Sequence, residues 1–244
     1  MEQATPYPGT QAVLRAIALL KAFTSGESEL SLSELARRVR LNKTTAFRLM
    51  TALESEGMVM RNPSTDAYRL GPEAIVLGGH AQRSNDLIFS SRAELESLAE
   101  ETGEMVTLEV LVDESVVVMA EITGRYVLSA SQTVGTRWPA SKTSTGKVML
   151  AYLSDEQLRH INLPDDLRDD LPTIRQQGYA IADGELEEDF VAISAPIRNY
   201  LGQVIAAISA GGPSTRFNPQ RVQEVAAMVK QTAATISQHL GYRS

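Results

Sequence analysis

At 244 residues the chain is long enough for one large domain or two smaller ones, and 43% hydrophobic with 22% charged residues is the composition of a globular protein. The absence of cysteine excludes disulfides, thiolate metal ligands and a cysteine nucleophile. The net charge of −7 is uneven: residues 1–80 hold nine Lys/Arg against eight Asp/Glu, the rest fourteen against twenty-two, so contact with phosphate backbones is expected of the N-terminal part.

The opening "MEQATPYPGT" has an acid and two prolines where a signal peptide needs a basic start and an apolar run, and no stretch approaches the ~18 apolar residues of a membrane span. A cytoplasmic chain with no membrane contact is expected. "TQAVLRAIALLKAFTSG" reads as a helix from Thr10 to Gly26, with Val13, Ile17 and Leu20 on one face and Leu14 and Ala18 beside them. In "LSLSELARRV", Ser31-x-x-Glu34 is a capping-box pattern that starts a second helix. After the turn "RLN", Asn42 caps a third helix, "KTTAFRLMTALESEG", whose apolar stripe is Phe47, Leu49, Met50 and Leu53. "MVMRNPSTDAYRL" gives two short extended runs around a tight bend.

Helix, short helix, three-residue turn, helix and hairpin, in this order, describe a winged helix-turn-helix, whose third helix enters a major groove. Residues 36–49 carry five cations and no carboxylate. Arg37, Arg38 and Arg40 are placed to grip phosphates or fix the turn, Asn42 to cap, and Lys43, Thr44, Thr45 and Arg48 to reach base edges. Arg61 and Arg69 flank the wing.

Residues 71–103 read as helical: "GPEAIVLGGHAQRSNDL" as a linker helix weakened at Gly78-Gly79, then "SSRAELESLAEETG" closed by Gly103. "EMVTLEVLVD", "SVVVMAEIT" and "YVLSASQTVG" are β-rich. A helix follows near Ser144, another is capped by Ser154, and "LRDDLPTIRQQG" reads as a short helix broken at Pro172. "YAIAD", "FVAISAPIR" and "QVIAAISAGG" are three more strands, and Asn218, Pro219 and Gly241 bound a last helix. This half is a second α/β domain with mostly antiparallel strands.

"LSLSELARRVRLNKTTAFRLMTALESEGMV", followed by "TSTGKVMLAYL", "QGYAIADGELEEDFVAISAPI" and "GQVIAAISAGGP", resembles the IclR family of bacterial transcriptional regulators over residues 10 to 240. The resemblance implies an α+β chain: a winged-helix DNA-binding domain over 1–70, a linker helix over 71–85 that helps dimerisation, and a GAF-like effector-binding and oligomerisation domain over 86–244. It implies a homodimer or dimer of dimers on a near-palindromic double-stranded operator, repressing or activating catabolic genes in the nucleoid under a small organic effector. Two-fold symmetry would set the recognition helices roughly 34 Å, or a longer multiple, apart.

In "SKTSTGKVML" a polar, Gly-containing stretch runs into a helix, and unpaired N–H groups there suit a carboxylate. The family's effector turn corresponds to Ser144, Thr145 and Gly146; the competing reading is that Thr143 or Ser144 merely caps the helix. Further pocket positions correspond to Ala182 (with Asp183 beside it), Ala192, Ser209 and Gly211. Three of these, Ala182, Ala192 and Gly211, lack the polar groups that hold small acids in relatives. Their loss favours an acid with an aromatic or alkyl body, because buried hydrocarbon contributes ~25 cal/mol per Å². Met119, Leu128, Trp138 and Phe190 are candidates for the apolar walls, with core packing as the competing reading.

Two other functions are weighed. Ser144-x-x-Lys147 matches the serine–lysine spacing of some hydrolases, but no Ser-Asp-Asn or Lys-Thr-Gly partner follows. A phosphate loop fails at Ser141 and Val148, and His80, His160 and His239 are far apart. Neither catalysis, a cofactor nor a metal is expected. A non-switching architectural DNA binder has little use for an acidic, sheet-rich second domain.

Overall fold

The first apolar segment folds as α1, Gln11–Lys21, in a computed structural model that describes residues 9–24, 27–125 and 134–243. The chain divides into two units between Ser84 and Asn85. In the first, α1 leads through a 3-10 turn to α2, Leu32–Arg38, and α3, Lys43–Ser55. The caps are those the sequence announces: Ser31 Oγ accepts from Glu34 N–H at 3.2 Å, and Asn42 Oδ1 from Thr45 N–H at 2.8 Å. A hairpin of β1, Val59–Arg61, and β2, Tyr68–Leu70, forms the wing, and Leu30 bridges to Tyr68. Leu19, Phe23, Leu30, Leu35, Met50, Val59 and Tyr68 make the core of this unit.

The α1 stripe differs from expectation. Leu19 is its one buried residue, while Val13, Leu14 and Ile17 remain exposed. Helix α4, Pro72–Arg83, runs unbroken through Gly78-Gly79 and buries none of its residues; Ile75, Val76 and Leu77 face solvent.

The second unit starts with α5, Asp86–Thr102, capped by Asn85 and ended by Gly103 at φ +74°. Six strands follow: β3 Met105–Val112, β4 Ser115–Ile122, β5 Arg137–Pro139, β6 Ala180–Asp183, β7 Phe190–Arg198 and β8 Val204–Pro213. They form one sheet in the order β5-β4-β3-β8-β7-β6, every neighbouring pair antiparallel. The strand expected over 126–135 falls largely outside the described residues. The short edge strand β5, built around Trp138, had no sequence expectation.

Because side chains alternate along a strand, the sheet has two apolar faces. Val106, Leu108, Ile193 and Ile208 pack against α5 and the last helix, α9, Pro219–His239. The opposite face is covered by α6 Ser144–Leu150, α7 Asp155–Arg159 and α8 Asp165–Gln177, with Val148, Leu150, Leu167, Leu171 and Ile174 buried there. Pro172 does not break α8. It lies on the exposed side, where water can take the carbonyl hydrogen bond that proline forgoes, while Leu167, Leu171 and Ile174 hold the inner side. Among the described residues no helix is long and apolar enough to cross a membrane.

Candidate functional site

The basic segment separates into tied and untied cations. The Glu34 carboxylate takes Arg37 at 2.9 and 2.6 Å and Arg38 at 2.8 Å, so it does not complete the capping box by reaching back to Ser31. Hydrogen bonds from the two guanidinium groups hold its pKa down to about 2. Arg38 also donates to the Ala22 carbonyl at 3.2 Å and pairs with Glu27, which fastens α2 to the chain after α1. Arg40 lies in the turn at φ +53°, its N–H on the Arg37 carbonyl at 3.2 Å. Arg61 pairs with Asp66 at 3.1 Å and lies over the Tyr68 ring. Among the described residues Arg40, Lys43, Arg48 and Arg69 have no ion-pair partner.

On α3, Lys43, Thr44, Phe47 and Arg48 are exposed, Thr45 is half-buried and Asn42 is occupied as the cap. Phe47 does not belong to the inner stripe. Ala46 and Met50 are buried with the half-buried Leu49 and Leu53, whereas Phe47 keeps 46% of its surface. Spacing announces this, since Phe47 stands three and four residues after Thr44 and Lys43, on their face.

The second unit holds a narrow recess between α6 and the sheet, enclosing about 500 Å³ with its open mouth included. Strand register builds its floor in rows. Met105, Gly211, Ala192 and Ala182 lie side by side across β3, β8, β7 and β6, and Thr107, Ser209 and Ser194 form the next row. One further step of two along β3 brings Glu109, which is 3% exposed. Thr145 Oγ1 donates to its Oε2 at 2.5 Å and Thr107 Oγ1 to its Oε1 at 2.7 Å. Burial pushes the Glu109 pKa up, against the lowering effect of these two hydroxyls.

Of the twelve effector positions read from the sequence, Ser144, Thr145, Ala182, Phe190, Ala192, Ser209 and Gly211 line this recess. Gly211 admits the Phe190 ring, whose nearest carbon would lie 2.9 Å from a Cβ there. Four of the other five lie elsewhere. Gly146 is buried under the Ala140 carbonyl, with a Cβ position only 2.1 Å from that oxygen, and its N–H donates to the Thr143 cap at 3.1 Å. Trp138 packs in the cluster around α6 and α8, and Met119 on the α5/α9 face, because core packing takes the indole and the thioether away from the recess. Asp183 is exposed at the end of β6, and Leu128 lies outside the described residues.

The sequence reading missed Met105, Glu109, Lys142, Glu185, Leu186 and Glu187 among the lining residues. A signal for Glu109 was present: it is the one charge inside "VTLEVLV", in phase with Met105 and Thr107. Lys147 pairs with Glu185 and lies 3.4 Å from the Ile181 carbonyl, so its amine is engaged away from Ser144. Among the described residues no cluster of three or more His, Asp or Glu could hold a metal.

Comparison with known proteins matches both units. A model of the IclR helix-turn-helix domain covers residues 12–63, and one of the C-terminal part of bacterial IclR regulators covers 79–238. The transcriptional regulator KdgR of Escherichia coli K12 is 30% identical, over 95% of this chain and 93% of its own length. The crystal structure of an IclR regulator from Alicyclobacillus acidocaldarius superposes with a TM-score of 0.83 at 26% identity, covering 94% of this chain and 98% of that one. An IclR homologue from Microbacterium hydrocarbonoxydans, crystallised with 4-hydroxybenzoate, shares the fold at a TM-score of 0.77 and 24% identity, again over 94% and 98% of the chains.

Proposed function

The chain belongs to the IclR family, whose members are DNA-binding transcriptional regulators and not enzymes, and on that premise we propose that it binds a specific operator under the control of a small organic carboxylate. The observation that carries the reading is the outer face of α3, where Lys43, Thr44, Phe47 and Arg48 stand exposed and the cations have no internal partner among the described residues. In a winged helix this face enters the major groove, with Arg48 at base edges and Lys43, Arg40 and Arg69 at phosphates. Arg38, tied to Glu34, Glu27 and Ala22, serves the turn instead.

The effector occupies the recess beside Ser144 and Thr145, over the small floor of Ala182, Ala192 and Gly211, with Lys142 at the rim for its carboxylate. A structural neighbour crystallised with 4-hydroxybenzoate supports an aromatic acid. Two copies act together on a near-palindromic site, singly paired or as a dimer of dimers, and α4 serves as the linker. The exposed apolar residues of α1 and α4 support that association. A cytoplasmic, nucleoid-associated controller of catabolic genes fits these parts.

Thermal unfolding against aliphatic and aromatic carboxylates tests the effector reading. A ligand at 100 times its Kd adds about 2.7 kcal/mol to the native state. The ligand so found should also change the affinity of the full chain for its operator; a stabilising ligand with no effect on DNA binding would favour the non-switching architectural reading.

A further inference from the structure

The recess floor is polarised in a way that restricts what can lie on it. Thr107 has one hydroxyl proton, and it goes to Glu109 at 2.7 Å. The 2.8 Å contact between Thr107 and Ser209 is therefore donated by Ser209. The chain runs Ser209 to Thr107 to Glu109, and Thr145 donates to the other carboxylate oxygen. Every proton of these hydroxyls is committed inward. What Thr107, Ser209, Thr145 and Glu109 leave for a ligand are the lone pairs of Ser209 and the second lone pair on each Glu109 oxygen, while the buried Ser194 hydroxyl in the same row has no partner among the described residues. Glu109 has no cation beside it among the described residues, and burial raises its pKa, so its charge is under-compensated. The Glu109 end of the floor is therefore rich in acceptors and complements a donor.

We propose that Glu109 selects the effector by accepting a hydrogen bond from a hydroxyl or ammonium group at the ligand's inner end. The effector is then a hydroxy- or amino-substituted organic acid, not a bare carboxylic acid. Its apolar body lies on Ala182, Ala192 and Gly211, and its carboxylate turns outward to Lys142, away from Glu109, which would repel it. This inference rests on the recess being the effector site.

Calorimetry on the full chain tests it with two series of probes. One is benzoate, 4-fluorobenzoate, 4-hydroxybenzoate and 4-(aminomethyl)benzoate; the other is hexanoate, 6-hydroxyhexanoate and 6-aminohexanoate. In at least one series the donor-bearing member should bind about tenfold or more tightly than its donor-free relatives, as expected for a hydrogen bond to a charged group. Whether the hydroxyl or the ammonium member wins identifies the donor. In Glu109→Gln that preference should contract to within about threefold, since an amide carbonyl is a weaker acceptor than a carboxylate. Equal binding of donor and donor-free members by the wild-type chain overturns the role of Glu109 and leaves the recess as the effector site. Retention of the full preference in Glu109→Gln overturns that role equally. No binding by any probe overturns the effector reading, and this inference with it. The wild-type ratio decides the matter even if the variant does not fold.

Discussion

Glu34 and Glu109 are carboxylates that their surroundings push in opposite directions, and each shift links charge to a task. Glu34, drawn down to about 2 by Arg37 and Arg38, stabilises the first unit at neutral pH and loses that contribution only as pH falls below the ordinary 4.5 toward its own value. Burial makes the charged form of Glu109 costly in the native state and raises its pKa. Its contribution is complete below the ordinary carboxylate value and lost as pH rises through the raised one. Denaturant midpoints of Glu109→Gln and wild type, compared at pH 5 and pH 8, should therefore shift in favour of the variant at the higher pH. A gap independent of pH would contradict the burial argument. The arginines separate by the same reasoning. Arg48→Ala should cost ~1–3 kcal/mol of operator binding and relax the preference at one base pair. Arg38→Ala should lower the thermal stability of the first unit and leave the ratio of operator to random binding almost unchanged, because its guanidinium is engaged with Glu34, Glu27 and Ala22. Equal loss of selectivity in both variants would contradict this division.

Helix caps and buried faces differ in how far a sequence can announce them. Caps are local, so Ser31, Asn42, Ser154 and Asn218 could be read directly, and each accepts the N–H three residues on. Burial is not local. The α1 stripe of Val13, Leu14 and Ile17 is apolar by composition, yet nothing among the described residues covers it, and Trp138, open in the sequence to both a pocket wall and core packing, packs from an edge strand against a core cluster. The recess was legible where sequence signals coincide, at Ser144, Thr145, Ala192, Ser209 and Gly211, and hidden where elements far apart in sequence meet, as Glu109 of β3 meets Thr145 of α6. Gly146 is an element-scale case: it lets α6 begin against Ala140, and does not contact the recess. Gly146→Ala should destabilise the second unit by ~1–3 kcal/mol in urea unfolding, as overpacking does. An unchanged midpoint would mean that α6 can shift freely. Helix α4, with Ile75 77% exposed, gives the matching prediction for association. Replacing Ile75 and Val76 with Glu should move the sedimenting species toward monomer; retained dimer would place the interface elsewhere.

Across the whole molecule, charge and architecture agree on a division of labour. The first eighty residues are nearly balanced, with Arg40, Lys43, Arg48 and Arg69 untied among the described residues, whereas the remainder carries a net −8, fourteen cations against twenty-two acids. The acidic second unit is repelled by phosphate, so it discourages indiscriminate adherence to DNA and leaves recognition to the winged helix. In the proposed dimer two copies would supply two recognition helices, and symmetry of the protein would become symmetry of the site. The most direct test is selection of duplexes from a random pool by the full-length chain at physiological salt, with sequencing before and after. Enrichment of a near-palindrome, with half-sites roughly one helical turn or a longer multiple apart and the preference lost in Arg48→Ala, is the predicted result. Uniform recovery of all duplexes, falling with salt but blind to sequence, would contradict a specific operator-binding regulator read through α3.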